Sequence, residues 1–287
     1  MKLVLAVDGS DHSYEAVRAL KYLRRADELT ILHVVDPPRP SYPMMMSDVA
    51  QDLYRQLEES MKEDGEQLLT RVHSLLPPHS GPVTKRLEVG SPADIIVSMA
   101  ESGHADLVAM GARGLGPVSE RLFGSVAHRV LSYAPCAKLL VKEPLRALDK
   151  ILLPIQGQYD ADAAIRFLEK QPFHKPVEIL LLTVLPPTRP PWPVDHAAAE
   201  QLEAQTLRHA RDFVEDVATK VRALGHHTHS ASLLGSPAAT IVHEAEKAGT
   251  DLIMVGSRGR RGITRMVLGS VSHAVLHQAS SPILVFE

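Results

Sequence analysis

The sequence has a single cysteine, Cys136, and aromatic residues make up only 4% of its 287 positions. One cysteine excludes an internal disulfide bond and is typical of a reducing compartment. We expect this thiol to be buried rather than reactive. With so few aromatic side chains the core has to be aliphatic, which is typical of parallel sheets covered by helices.

Strong net charge and long apolar runs are also missing. The formal net charge is −3, which gives no electrostatic reason to expect nucleic acid or a membrane surface as a partner. No apolar run comes close to the roughly 18 residues of a membrane-spanning helix. An acid at Asp8 and a glycine at Gly9 interrupt the N-terminal apolar run too early for a signal peptide. We therefore expect a soluble, cytoplasmic protein.

The chain does contain an internal repeat, whose clearest element is a glycine pattern that occurs once in each half. The two copies are Gly111-x2-Gly114-x9-Gly124-Ser125 and Gly256-x2-Gly259-x9-Gly269-Ser270. At the same offset, Gly90-Ser91-Pro92-Ala93 matches Gly235-Ser236-Pro237-Ala238. A period this long predicts a duplicated domain rather than an array of short repeats. Pro144 and mixed charges interrupt the apolar runs at the boundary, which predicts domains at residues 1–146 and 147–287.

Apolar runs and helix start signals alternate within each half. In the first half they predict, in order, a strand at 2–7, a helix from Ser10 or Asp11 to about Arg25, a strand at 29–35, a helix at 47–75, a strand at 83–89, a helix from 92, a strand at 106–110, a helix from 125 and a strand at 138–141. This α/β alternation predicts a doubly wound parallel sheet with right-handed crossover connections.

The glycine pattern follows a short apolar strand and precedes a helix, which is where α/β proteins place phosphates. Gly111 and Gly114 would clear space for a phosphate and permit unusual backbone angles, and the nine residues after Gly114 would loop over the phosphate chain. At Gly124-Ser125 the free N–H groups and dipole of a starting helix favour an anion. Arg113 is placed to pair with a phosphate oxygen. The alternative is that both glycine segments are only tight turns.

Two common nucleotide motifs are absent. The chain has no Gly-Lys-Ser or Gly-Lys-Thr, which excludes a Walker A loop. The glycines follow a late strand of each half rather than the first, which excludes a Rossmann fingerprint. GTPase-type and dehydrogenase-type chemistry are therefore not expected.

Asp8 ends the first predicted strand, at the carboxyl edge where doubly wound sheets bind ligands. Its carboxylate is suited to hydrogen-bond an adenine amino group or a ribose hydroxyl. The alternative is a turn aspartate within Asp8-Gly9-Ser10. The second half has Gln156 at this position, which keeps an acceptor and loses the charge, so we expect the second site to be altered.

Several histidines invite a functional interpretation. His226-His227-x-His229 resembles a metal cluster, but no cysteine or paired acid stands near it in the sequence. A solvated strand edge is the preferred interpretation there, and a metal site is the alternative. His33 and Thr183 lie near the ends of their strands, so His33 either borders the ligand site or forms a structural hydrogen bond.

With these motifs the chain resembles the universal stress protein family in its tandem-domain form, and the resemblance covers nearly the whole chain. It rests on Val7-Asp8-Gly9-Ser10, Leu32-His33-Val34, Gly90-Ser91-Pro92-Ala93, Met110-Gly111-Ala112-Arg113-Gly114, Gly124-Ser125-Val126 and their second-half counterparts. Two positions depart from the family pattern. Gln156 replaces the family aspartate, which bears on adenine recognition in the second half, and Ala137 stands where proline is usual.

The resemblance implies that each half folds as a five-stranded parallel sheet with helices on both faces, the adenine nucleotide alpha hydrolase-like fold. It implies ATP, ADP or AMP at the carboxyl edge, with or without magnesium or manganese. The implied nucleotide-binding positions are Ala6, Asp8, Val34, Met110, Gly111, Arg113, Gly114, Gly124, Ser125 and Val126 in the first half, and Pro154, Gln156, Val184, Val255, Gly256, Arg258, Gly259, Gly269, Ser270 and Val271 in the second.

The resemblance also implies a role in stress response or nucleotide-dependent signalling. No general base, nucleophile or metal triad is duplicated beside the glycines, so we expect no catalytic residues, no resident metal ligands and at most slow ATP hydrolysis. The alternatives are an ATP-hydrolysing or nucleotidyl-transferring enzyme of the same fold and an interaction module with vestigial sites. Because single-domain relatives dimerise through the last strand, we expect the halves to pair through Lys138–Val141 and Ile283–Phe286, with a homodimer of the chain left open.

Overall fold

The computed structural model describes residues 1–38, 48–114, 124–187, 196–257 and 268–287. The chain divides into two compact units. The first consists of Met1–Lys21 and Arg25–Val141, and the second of Tyr22–Arg24 and Lys142–Glu287. Among the described residues, no helix combines the length and the hydropathy that a bilayer crossing requires.

The first unit alternates strands and helices throughout. Its elements are β1 Lys2–Ala6, α1 Asp11–Ala19, β2 Glu28–Val35, α2 Asp48–Leu75, β3 Val83–Val89, α3 Pro92–Ser102, β4 Leu107–Gly111, α4 Ser125–Tyr133 and β5 Ala137–Val141. The strands lie in the order β3-β2-β1-β4-β5, and every pair is parallel. This is the doubly wound α/β sheet that the alternation predicts.

The second unit repeats this plan. Its elements are β6 Lys150–Pro154, α5 Gln158–Glu169, β7 Glu178–Leu185, α6 His196–Ala223, β8 His227–Leu234, α7 Pro237–Ala248, β9 Leu252–Gly256, α8 Ser270–Gln278 and β10 Ile283–Phe286. The strands lie in the order β8-β7-β6-β9-β10, again with parallel pairs. The duplicated five-stranded fold is therefore confirmed.

Burial along the strands follows their place in each sheet. All residues of β4 are buried, as are those of β1 after Lys2, because helices cover both faces of a central parallel strand. The outermost strands β3 and β8 instead expose several side chains. Cys136 is buried, as expected of a lone thiol beside the last strand.

The start of α1 follows the prediction, but its end does not. The Ser10 hydroxyl caps α1 by accepting a hydrogen bond from the Ser13 N–H at 3.2 Å. The helix was expected to continue to about Arg25, whereas it ends at Ala19 and the chain tightens into a 3-10 turn at Leu20–Tyr22. Apolar residues three apart are buried equally well by either geometry, so the spacing of leucines could not distinguish them.

In each unit the strand order creates a potential ligand site at the carboxyl ends of two neighbouring strands. From β1 the chain moves outward through β2 and β3, and it then returns to place β4 on the other side of β1. The connections diverge at this switch point, which leaves a crevice at the carboxyl ends of the two strands. In the second unit the same crevice lies between β6 and β9.

Candidate functional site

A cavity of about 280 Å³ lies at the switch point of the first unit. It contains all the first-half residues that the sequence predicted, and its lining is Ala6, Val7, Asp8, Ser13, Leu32, Val34, Pro92, Ile96, Met110, Gly111, Ala112, Arg113, Gly114, Gly124, Ser125, Val126 and Ala127. Residues distant in sequence thus converge on one space at the carboxyl edge of the sheet.

Asp8 follows β1 and is held in place by Ser10. Its Oδ1 atom accepts hydrogen bonds from the Ser10 N–H at 3.0 Å and from the Ser10 hydroxyl at 2.6 Å. The same hydroxyl lies 3.1 Å from the Arg113 carbonyl oxygen, which ties the turn after β1 to the segment after β4. The carboxylate therefore serves as a turn residue through one oxygen while the side chain also lines the cavity.

The glycines of the pattern are required for different reasons. A Cβ atom on Gly111 would lie 2.7 Å from the backbone of His12 and Ser13, so this glycine makes room for α1 rather than directly for a phosphate. Gly111 is also the last residue of β4 and is not among the described glycines with positive φ. The expectation that it supplies unusual backbone angles is therefore wrong.

Gly124 differs because the described residues leave space around it. The nearest atoms to a Cβ there would be backbone atoms at 3.8 Å, which is ordinary contact. Packing within the described protein thus gives no reason for a glycine at this position, which faces the cavity. A ligand that approaches the backbone would supply such a reason.

The start of α4 borders the cavity, and no side chain of the described residues caps it. Gly124 is the N-cap, and it offers no side chain to satisfy the N–H groups of the first turn. The Gly124 N–H donates to the Ala112 carbonyl at 3.1 Å, which fixes the helix start against the end of β4. The second unit repeats this contact, from the Gly269 N–H to the Ser257 carbonyl at 2.9 Å.

His33 and Thr183 have the same structural task in the two units. The Nδ1 atom of His33 lies 2.8 Å from the Val7 carbonyl oxygen, and the Thr183 hydroxyl donates to the Ile155 carbonyl at 2.7 Å. Each side chain ties the second strand of its unit to the residue that precedes Asp8 or Gln156. His33 is not among the residues that line the first cavity, so the structural alternative is the correct one for His33.

A second cavity of about 420 Å³ lies at the switch point of the second unit. Its lining is Pro154, Ile155, Gln156, Asp160, Val184, Pro237, Ile241, Val255, Gly256, Gly269, Ser270, Val271 and Ser272. The second-half residues that the sequence predicted are all in this set, except that Arg258 and Gly259 lie outside the described residues.

Asp160 is the one carboxylate that lines the second cavity, among the residues described, and the sequence did not single it out. It belongs to the first turn of α5, and its Oδ2 atom accepts a hydrogen bond from the Gln156 N–H at 3.2 Å. Burial raises the pKa of the Asp160 carboxyl above its usual value, and the hydrogen bond from Gln156 offsets part of that rise.

The structure separates the three neighbouring histidines. His227 and His229 are exposed on the outer strand β8, in agreement with the preferred interpretation. His226 is buried, its Nδ1 accepts a hydrogen bond from the Val177 N–H at 3.3 Å, and its ring packs edge-on against Phe173. Burial lowers the pKa of His226, with a smaller contribution from His227. The part of the chain that the structure describes contains no group of three or more potential metal ligands.

Some lining residues were missed although the repeat contained the signal for them. Pro92 and Ile96 line the first cavity, and their counterparts Pro237 and Ile241 line the second. All four lie in segments that match between the halves. Asp160 has no such signal, because the corresponding stretch of α1 is Asp11-His12-Ser13.

Residues 1–142 and 147–287 each match the sequence profile of the Universal stress protein family. The chain belongs to the universal stress protein family. Because both halves match, it is a tandem universal stress protein with two family domains.

Two relatives of similar length come from mycobacteria. A universal stress protein of Mycolicibacterium smegmatis is 27% identical over 96% of this chain and 95% of its own length. One of Mycobacterium tuberculosis is 26% identical over 99% of this chain and 95% of its own length. The crystal structure of a universal stress protein from Archaeoglobus fulgidus is 21% identical, with a TM-score of 0.65 over 99% of this chain and 97% of that one, and it shows the same fold. Another Archaeoglobus universal stress protein, 16% identical with a TM-score of 0.34 over 49% of this chain and 98% of its own, was solved in complex with dAMP.

Proposed function

We propose that this tandem universal stress protein binds an adenine nucleotide, ATP, ADP or AMP, in the cavity of its first unit and acts in stress response or nucleotide-dependent signalling. The observation that supports this most is the convergence of three features on that cavity. These are the Asp8 carboxylate, the open space at Gly124 and the uncapped start of α4.

The cavity offers a separate environment for each part of a nucleotide. Val34 and Ile96 provide apolar contact for a base, and Asp8 provides an acceptor for a ribose hydroxyl or the base amino group. The backbone N–H groups of Ser125 and Val126, in the first turn of α4, provide donors for phosphates, since a helix start favours anions. Arg113 also lines this space and carries a charge of the right sign. The residues present therefore fit an adenine nucleotide.

Phosphates bound there would bring magnesium or manganese with them, held by phosphate oxygens and water. We propose binding rather than turnover as the function. Among the described residues, Asp8 is the one carboxylate that lines the first cavity, and its Oδ1 already accepts two hydrogen bonds from Ser10. A group engaged in this way is poorly placed to act as a general base.

The test is whether the purified full chain carries or takes up a nucleotide. When the purified protein is denatured, mass spectrometry of the released small molecules should show an adenine nucleotide. Calorimetry should show that ATP, ADP or AMP binds to the protein from which the nucleotide has been removed. Asp8→Asn should lower the affinity of the first site about tenfold, since a hydrogen bond to a charged acceptor contributes roughly 1.5–3 kcal/mol. The control is Asp11→Asn. It removes an exposed carboxylate in the first turn of α1, close to Asp8 in sequence, and should leave the affinity unchanged. Absence of any nucleotide binding would reject the proposal.

A further inference from the structure

The two cavities share most of their lining but differ in the position of the carboxylate. Val34 and Val184 correspond, as do Gly124-Ser125-Val126 and Gly269-Ser270-Val271. One difference is the second residue after the first strand, which is Asp8 in one unit and Gln156 in the other. Among the described residues that line the second cavity, Asp160 is the one that carries a negative charge.

The side chain of Asp160 lies at the ends of β6 and β9, although the residue belongs to α5. Its backbone lies one helical turn further along the chain, but its Oδ2 binds the N–H of Gln156, the residue that stands in the place of Asp8. Its Oδ1 lies 3.1 Å from the position that a Cβ atom on Gly256 would occupy. In the first unit the corresponding neighbours of Gly111 are backbone atoms of His12 and Ser13. A carboxylate thus lies between the ends of β6 and β9.

We propose that Asp160 supplies the second cavity with the carboxylate that Asp8 supplies to the first, and that it accepts a hydrogen bond from a ribose hydroxyl of a nucleotide bound there. This inference rests on the proposed function. It makes the second unit a second nucleotide site with a relocated carboxylate rather than a vestigial site.

The chemistry of Asp160 favours this role over one confined to folding. A carboxylate can accept about four hydrogen bonds, and the Gln156 N–H supplies one of them to Oδ2. Partial burial of the charge has an energetic cost, which further donors would reduce. The hydroxyls of ribose are donors of the required kind, and they would enter from the cavity that Asp160 lines.

The competing explanation is that Asp160 only stabilises the start of α5. An acid three residues after the N-cap often accepts a hydrogen bond from the backbone before the helix, and Gly157 gives this helix no side-chain cap. Both explanations predict that Asp160 contributes to the fold. They differ in what they predict for the ligand. Only a direct contact with the ligand predicts that replacing the Asp160 side chain removes the preference for a nucleotide that carries ribose hydroxyls.

The experiment uses the full chain with Gly124→Val, which closes the first cavity, and compares ATP with 2′,3′-dideoxy-ATP by calorimetry. The remaining site should bind ATP about tenfold more tightly than the dideoxy analogue, which corresponds to about 1.4 kcal/mol. Asp160→Asn keeps an acceptor for the Gln156 N–H and should bring the two affinities close together. Asp162→Asn, which loses a carboxylate that pairs with Gln158 on the same helix, should leave both affinities unchanged.

The outcomes distinguish this inference from the proposed function. If the unsubstituted chain binds no nucleotide, the proposed function fails and the inference fails with it. If the chain binds ATP but Gly124→Val removes all binding, the second cavity is not a nucleotide site and only the inference fails. An unchanged preference for ATP in Asp160→Asn would also overturn it. Should Asp160→Asn not fold, equal affinities for ATP and the dideoxy analogue in the Gly124→Val chain would still reject the inference.

Discussion

A Cβ atom on Gly114 would lie 2.5 Å from the Oδ2 atom of Asp8. The glycine therefore permits the observed position of the carboxylate, whose other oxygen is held by Ser10. The two residues are far apart in sequence, so the glycine pattern after β4 and the aspartate after β1 form one structural unit.

Gly114→Ala should weaken nucleotide binding at the first site without unfolding the protein. The new methyl group would displace the Asp8 carboxylate, which can move because it is the end of a side chain rather than backbone. We expect ATP affinity to fall about tenfold, the size of one charge-assisted hydrogen bond. Calorimetry measures this. Gly157→Ala is the control because, among the described residues, no atom beyond its chain neighbours lies within 4 Å of a Cβ at that position. If Gly114→Ala left the ATP affinity unchanged, the position of the Asp8 carboxylate would not contribute to nucleotide binding.

Gly124→Val should abolish binding in the first unit and leave the fold intact. A Cβ at this position has ordinary contacts at 3.8 Å with the protein, but the branched side chain would occupy the cavity. Because valine is a poor N-cap, we expect a loss of about 1 kcal/mol in the free energy of unfolding. Denaturant titration and calorimetry report the two effects separately, with Gly157→Val as the matched control. A folded variant with full affinity at the first site would show that Gly124 does not face the ligand.

Asp160→Asn should change how stability depends on pH. The folded-state pKa of Asp160 is raised by burial, so the folded chain holds this proton more tightly than the unfolded chain. The destabilising effect of the charge is fully present above the raised pKa and disappears below the ordinary carboxyl pKa of about 4. The stability of the variant relative to wild type should therefore decrease as the pH falls from 7 to 4. Urea unfolding at several pH values measures this, and a constant difference would contradict it.

His226 should make the protein sensitive to mild acid. Burial lowers its folded-state pKa, so below about pH 6.5 the unfolded chain gains a proton that the folded chain does not hold. Stability should be lost as the pH falls through that value, and His226→Asn should lose less than wild type. The exposed His229 on β8 provides the control, since it does not contribute to the lowered pKa of His226 and His229→Asn should follow the wild-type trend. Parallel curves for wild type and His226→Asn between pH 7.5 and 5.5 would reject this assignment.

The sequence predicted the fold and most of the cavity lining because both depend on local patterns that occur in each half of the chain. Apolar runs located the strands, and the spacing from Gly111 to Ser125 located the segment that faces the cavity. The sequence did not predict why a particular position has to be glycine. Whether Gly111 accommodates a ligand or the start of α1 depends on how closely the helix approaches the strand, which no spacing encodes.

Asp160 and His226 show what the sequence leaves undetermined. An acid in the first turn of a helix is the ordinary choice for stabilising that helix, so nothing in the sequence distinguishes an acid that also lines a cavity. His226 precedes a strand by one residue, and its burial depends on contacts with Phe173 and Val177 rather than on strand alternation. Both positions depend on tertiary contacts between segments that are distant in the chain.

The most direct measurement is a crystal structure of the full chain grown with ATP. We predict electron density for the nucleotide in the first cavity, with the base beside Val34, a ribose hydroxyl within hydrogen-bond distance of Asp8 and phosphates at the N–H groups of Ser125 and Val126. An empty first cavity at saturating ATP, or a nucleotide bound elsewhere on the first unit, would contradict it.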